Sequence, residues 1–139
     1  TKDLTPINKN FISLVSNLNT SSNLMEDLIF SLKVAKHSKS NAVVLSKNKQ
    51  TIGIGSGQTN RYDALKIALN RMKINFKKSK YVCASDGFFP FTDSLKLLKK
   101  NNCIAVVQPS GSLNDIKNIN YSVKNKLALY FTNNRLFKH

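Results

Sequence analysis

At 139 residues, 41% of them hydrophobic and none of them tryptophan, the chain has material for one domain around one modest core. Its 22 Lys plus Arg against 7 Asp plus Glu leave a formal charge of +15, yet apolar runs recur from end to end, which excludes a disordered polycation. No run of about 18 apolar residues is present for a membrane span, and the polar opening TKDLTPINKN is not that of a secretory signal. A start without methionine raises the expectation of a fragment or processed piece, and the expected compartment is cytoplasmic.

In chain order, FISLVS (11–16) reads as a strand and SNLNTSSN as a polar loop. Asn23 with Glu26 three residues on has the pattern of a capping box. Leu24, Leu28, Ile29, Leu32 and Ala35 then recur at helical spacing to about Lys36. The β-branched run AVVLS (42–46), the polar KNKQ and then TIGIG read as a hairpin. Glycine-rich GIGSGQ (53–58) leads into a helix from about Arg61 to Asn75, with Ala64, Leu65, Ala68, Leu69 and Met72 on one face. A regular alternation follows. Strand YVCA (81–84), loop SDGFFPFT and helix DSLKLLKKN precede strand CIAVVQ (103–108), loop PSGSLN and helix NDIKNINYSVKNK. LALYFT (127–132) is the last strand, and NNRLFKH is the tail.

This alternation predicts an α/β fold with a parallel or mixed sheet covered by helices on both faces. Ligands in such sheets bind at the carboxyl ends of strands, where SDGFFPF, QPSGS and TNNRLFKH gather.

Cys83 and Cys103 each sit in an apolar run, without a Cys-x-x-Cys pair or a nearby histidine. They read as buried thiols in a reducing compartment, and zinc is not expected. Only Arg61, Arg71 and Arg135 are arginines, so the positive charge is mostly lysine between apolar runs. A solvated face is the plain reading, and nucleic acid is not the expected partner; a non-enzymatic basic RNA-binding module is the alternative.

GIGSGQ lacks the full dinucleotide-binding spacing and its acidic partner, so a strand end packed closely on a helix is the favoured reading. Amides at the following helix start could still hold an anion. SDGFFPF is harder to explain as structure alone. Phe88, Phe89 and Phe91, broken by Pro90, cannot all point inward from a loop, so a flat aromatic surface for a heterocycle is expected. Asp86 and Asp93 flank it, Asp93 also fitting a helix cap.

In order along the chain, KHSKSNAVVLSKNKQTIGIGSGQTNR, ASDGFFPFTDS, VVQPSGS and NRLFKH resemble the C-terminal part of AICAR transformylase. That is the formyltransferase half of the bifunctional purine-biosynthesis family that also carries IMP cyclohydrolase. The resemblance covers residues 24–139 as the transformylase domain, leaving 1–23 as a strand and loop from the preceding region. It implies a three-layer α/β/α, cytidine-deaminase-like fold with a mixed sheet and no zinc. The implied reaction is formyl transfer from the cosubstrate 10-formyltetrahydrofolate to AICAR in IMP biosynthesis, by an enzyme that forms a homodimer.

The same resemblance puts Asn41 at the reacting centre as the catalytic residue. Phe88, Arg135 and Phe137 fall on AICAR, with Arg135 suited to its phosphate. Arg61, Pro90, Phe91 and Asp93 fall on the folate. Val34, Ser38, Ser40, Asp86 and Lys138 fall around a monovalent cation, potassium among the candidates.

Departures from the family pattern bear on activity. The family's Lys-His motif, of the form K-H-x-N-P-C-G, is absent, and His37 after Lys36 lies outside any such motif. Thr92 stands where an arginine is common, and Lys138 where a histidine is. The expectation is therefore a portion of the enzyme that binds AICAR and folate with its missing N-terminal half and is inactive alone.

Overall fold

The computed structural model describes residues 7–16, 18 and 20–132. A short 3-10 turn (Lys9–Phe11) leads into β1 (Ile12–Leu14) and then α1 (Ser22–His37). The hairpin β2 (Val43–Lys47) and β3 (Gln50–Gly55) is followed by α2 (Arg61–Phe76) and β4 (Tyr81–Ser85). Next come α3 (Asp93–Lys100), β5 (Cys103–Pro109), α4 (Asp115–Lys124) and β6 (Ala128–Thr132). These are the expected elements, with ends shifted by a residue or two.

The six strands form one mixed sheet in the order β1-β6-β5-β4-β2-β3. β4, β5 and β6 are parallel neighbours joined through α3 and α4, while β1, β2 and β3 pair antiparallel. Helices cover both faces, so the three-layer α/β/α arrangement stands. Alternation along β4 shows how the layers divide: Tyr81 and Cys83 pack with α2 and α3, while Val82 and Ala84 pack with Leu28, Leu32 and Ala35 of α1. A period of two sends successive side chains into opposite cores. Residues 12–14 belong to this same sheet, with Ile12 opposite Thr132.

Glycines set how closely α2 lies on β3. A methyl group at Gly53 would collide with the Ala68 carbonyl oxygen, and one at Gly55 with that of Ala64. The close-packing explanation of GIGSG therefore holds for these two glycines.

Two local features differ from expectation. The cap of α1 is Ser21, whose Oγ accepts from Leu24 N at 3.3 Å, so the helix begins before Asn23 and the expected capping box is not formed. Glu26 instead pairs with Lys49 at 3.3 Å across to the hairpin. The second feature is Asp27, a buried acid in the first turns of α1. Its two oxygens accept from Asn48 N at 3.1 Å and Lys49 N at 2.8 Å. Those residues have φ of 52° and 57°, the left-handed turn that closes a two-residue hairpin. A helix acid thus satisfies the amides of a β-turn.

Candidate functional site

β2 runs antiparallel to β4 with Val43 opposite Ser85, so the start of β2 adjoins the end of β4. This register brings residues 38–42 to the carboxyl edge of the parallel strands, where ligands bind in such sheets. Asp86 is the joint. Its backbone N donates to Ala42 O at 3.1 Å, and its Oδ1 accepts from Ala42 N at 3.0 Å. Ser40 Oγ donates to its Oδ2. Arg61, the first residue of α2, places Nη2 3.1 Å from Oδ1. The Asp86 side chain is only 5% exposed, so the guanidinium and two further donors compensate a buried charge.

Gly87 makes room for that arrangement, because a methyl group there would overlap the Arg61 guanidinium. The 38–42 segment is also tied to the loop after β3. Asn41 N donates to Gln58 O at 3.2 Å, and Gly57 N, at a φ of +67°, donates to Lys39 O at 2.7 Å. The Ser40–Asn41 peptide bond is cis. Asn41 is half-buried, held at both flanks of its backbone.

The aromatic loop leaves the end of β4 next to this joint. Phe89 is fully buried, whereas Phe88 is 38% and Phe91 62% exposed. The expectation that the three rings cannot all turn inward is met: one fills the core and two are left open to solvent. Gly111, in the loop after β5 with a φ of +123°, lies against Phe88, whose ring would be 3.7 Å from an added methyl group. Asp115, the first residue of α4, holds that loop by accepting from Gly111 N at 2.8 Å and Ser112 N at 3.3 Å.

Among the sequence candidates, the structure gathers Ser40, Asn41, Arg61, Asp86, Phe88, Pro90 and Phe91 on one edge. Val34 and Ser38 meet at the end of α1, where Ser38 Oγ donates to Val34 O at 2.7 Å. Asp93 is exposed as the first residue of α3, and Thr92 holds the cap position without a side-chain bond, so Asp93 is not the cap. Arg135, Phe137 and Lys138 lie outside the described residues. A cavity of about 670 Å³ lies elsewhere, against Met25, Ile29 and Phe30 of α1.

Cys83 and Cys103 are free and buried. Burial pushes the Cys103 thiol up to about 12 and the Cys83 thiol well above its usual value, so both stay protonated at neutral pH. Sequence reasoning missed Gln108 and Asn118, two fully buried amides behind the aromatic loop. A glutamine ending the apolar run CIAVVQ was the available signal.

The family described as AICARFT/IMPCHase bienzyme matches residues 1–71. The bifunctional purine biosynthesis protein PurH of Aquifex aeolicus is 49% identical over 116 residues, 83% of this chain and 23% of that protein. PurH of Fusobacterium nucleatum is 44% identical over 128 residues, 92% of this chain and 25% of its own length. PurH of Buchnera aphidicola is 43% identical over 134 residues, with shares of 96% and 25%. The chain thus spans about a quarter of the length of these relatives. A solved structure of Acinetobacter baumannii RibD overlaps 76% of this chain and 33% of its own, at 18% identity and a TM-score of 0.45, an overlap too loose to carry weight.

Proposed function

The chain belongs to the AICARFT/IMPCHase bienzyme family, and from that premise we propose that it forms one side of a formyl-transfer site in purine biosynthesis. In this reading the 5-amino nitrogen of AICAR attacks the formyl carbon of 10-formyltetrahydrofolate, and the bond from that carbon to the folate nitrogen breaks. Conjugation with the neighbouring carboxamide makes the amine a weak nucleophile. Its proton must leave as the new bond forms, charge on the formyl oxygen must meet a donor, and two flat molecules must be aligned.

Asn41 is the proposed catalytic residue, since its amide offers both a donor and an acceptor at the reacting centre. Phe88 carries the AICAR ring by stacking, with Arg135 on the phosphate and Phe137 beside it. Arg61, Pro90, Phe91 and Asp93 receive the folate. Val34 O, Ser38 Oγ, Ser40 Oγ and Asp86 offer only oxygen, the donor type a monovalent cation such as potassium takes. Because Arg61 already neutralises Asp86, that ion would rest mainly on the uncharged oxygens, joined by Lys138 through its backbone.

In this reading proton transfer falls to residues outside this chain, which lacks the Lys-His motif, and the chain alone is expected to show no turnover. The remainder of the bienzyme and a second copy of it are the proposed partners, in the cytoplasm. The observation that carries this reading is the pinning of the Asn41 segment and Arg61 to the end of β4 through Asp86, beside a loop that leaves Phe88 and Phe91 open.

The test is Asn41→Ala in a complete bienzyme carrying this segment. Loss of one donor to a developing oxyanion lowers kcat by about 10²–10³. The KM for AICAR should change little, and an unchanged kcat removes Asn41 from the chemistry.

A further inference from the structure

Residues 88–91 have no helix or strand of their own, so the polar groups of their backbone need other partners. Side chains supply them. Phe89 N donates to Gln108 Oε1 at 2.9 Å, and Asn118 Nδ2 donates to Phe89 O at 3.4 Å. Asn114, the cap residue just before α4, donates from Nδ2 to Pro90 O at 2.7 Å. Gln108, near the end of β5, and Asn118 are both 0% exposed.

Packing alone does not account for these amides. Burying an amide is unfavourable unless it is hydrogen-bonded, and among the described residues Gln108 Nε2 and Asn118 Oδ1 have no partner. A leucine at either position would avoid that cost. What the amides do provide is one acceptor and one donor to the two polar groups of a single residue, Phe89.

We propose that Gln108 and Asn118 are positioning residues: they clamp the Phe89 backbone from both sides and thereby fix where Phe88 and Phe91 stand. The buried Phe89 ring anchors the middle of the loop, and the clamp sets the rotation of the backbone about it. Phe88 then meets the Gly111 loop, while Phe91 stays largely open to solvent. The clamp deepens the reading of this edge as a stacking surface and rests on it only for its benefit to binding. A ring held ready need not be immobilised when a ligand arrives, which spares binding an entropic cost.

The test separates the clamp from the ligand. Fluorophenylalanine is placed at Phe88, and as a control at Phe30 on the opposite helix layer, and fluorine NMR follows each ring. Gln108→Met removes the acceptor and Asn118→Asp the donor. Each should move and narrow the Phe88 signal while leaving Phe30 unchanged. Should Gln108→Met fail to fold, Asn118→Asp probes the other side of the clamp alone. A Phe88 signal unmoved by both variants overturns the clamp, as does joint movement of Phe88 and Phe30, which marks general loosening.

In a complete bienzyme carrying this segment, the same variants should raise the KM for AICAR about three- to tenfold. Phe88→Ala with unchanged AICAR affinity would overturn the stacking reading instead, whatever the NMR shows for the clamp.

Discussion

Replacing Gly87 with alanine tests how the Asp86 joint is built. No left-handed φ is required at Gly87, so alanine is acceptable to the backbone and the effect falls on what the methyl group meets. It meets Arg61: the added carbon would lie 2.5 Å from Nε and closer still to Cζ and Nη2. The end of a flexible side chain can swing away, but doing so breaks the 3.1 Å contact with Asp86. Breaking a fully buried pair costs about 3–5 kcal/mol, whereas one hydrogen bond to a charged group is worth about 1.5–3 kcal/mol. Here Asp86 keeps Ala42 N and Ser40 Oγ, and the Arg61 side chain is 24% exposed, so water takes over part of its role. The lower range applies, with a loss of about 1.5–3 kcal/mol.

Urea denaturation of four proteins measures it: wild type, Gly87→Ala, Arg61→Ala and the double variant. If the methyl group acts only by evicting Arg61, its cost disappears once Arg61 is gone. In that background alanine should be neutral or stabilising by up to about 1 kcal/mol, because it restricts the unfolded chain. Equal destabilisation in both backgrounds would refute the reasoning, since the collision would then be with something other than the guanidinium.

Asp27→Asn should lower stability by about 1–3 kcal/mol in the same assay, because Asn48 N and Lys49 N meet different oxygens and one of these becomes an NH2 group facing an N–H. Alkylating reagents at neutral pH should leave Cys83 and Cys103 unmodified until the chain unfolds, as mass spectrometry would register. Stability should also fall as pH rises above the unfolded thiol value of 9.0: the unfolded chain then loses protons that folded Cys103 keeps up to about 12, and urea midpoints across that window would trace the loss.

The strands and helices were legible because each carries its own period. AVVLS and CIAVVQ are continuous apolar runs, and the α2 face from Ala64 to Met72 repeats every three or four residues. The glycines of GIGSG were legible as close packing for the same local reason. The start of α1 was not, because Ser21, Ser22 and Asn23 are all good caps and sequence alone does not rank them.

Asp86 stood out as a ligand candidate, but its bonds to Ser40, Ala42 and Arg61 span up to 46 residues and exist only once β2 has paired with β4. Asp27 was hidden for a related reason. An acid in a helix that serves a turn on another element leaves no periodic trace. Asn118 lies in a helix rich in asparagine, so nothing in the spelling separates the buried one from Asn120 on the surface.

The edge of the sheet is assembled by two separate fastenings. One runs through Asp86 to β2 and α2 and holds Asn41. The other runs through the Phe89 backbone to β5 and α4 and holds the rings. They share no hydrogen-bonding side chain, so each can be altered while the other stays in place. Loosening the Phe89 fastening therefore leaves the bonds that hold the Asn41 segment intact. The edge is modular in its upkeep even though it works as one surface.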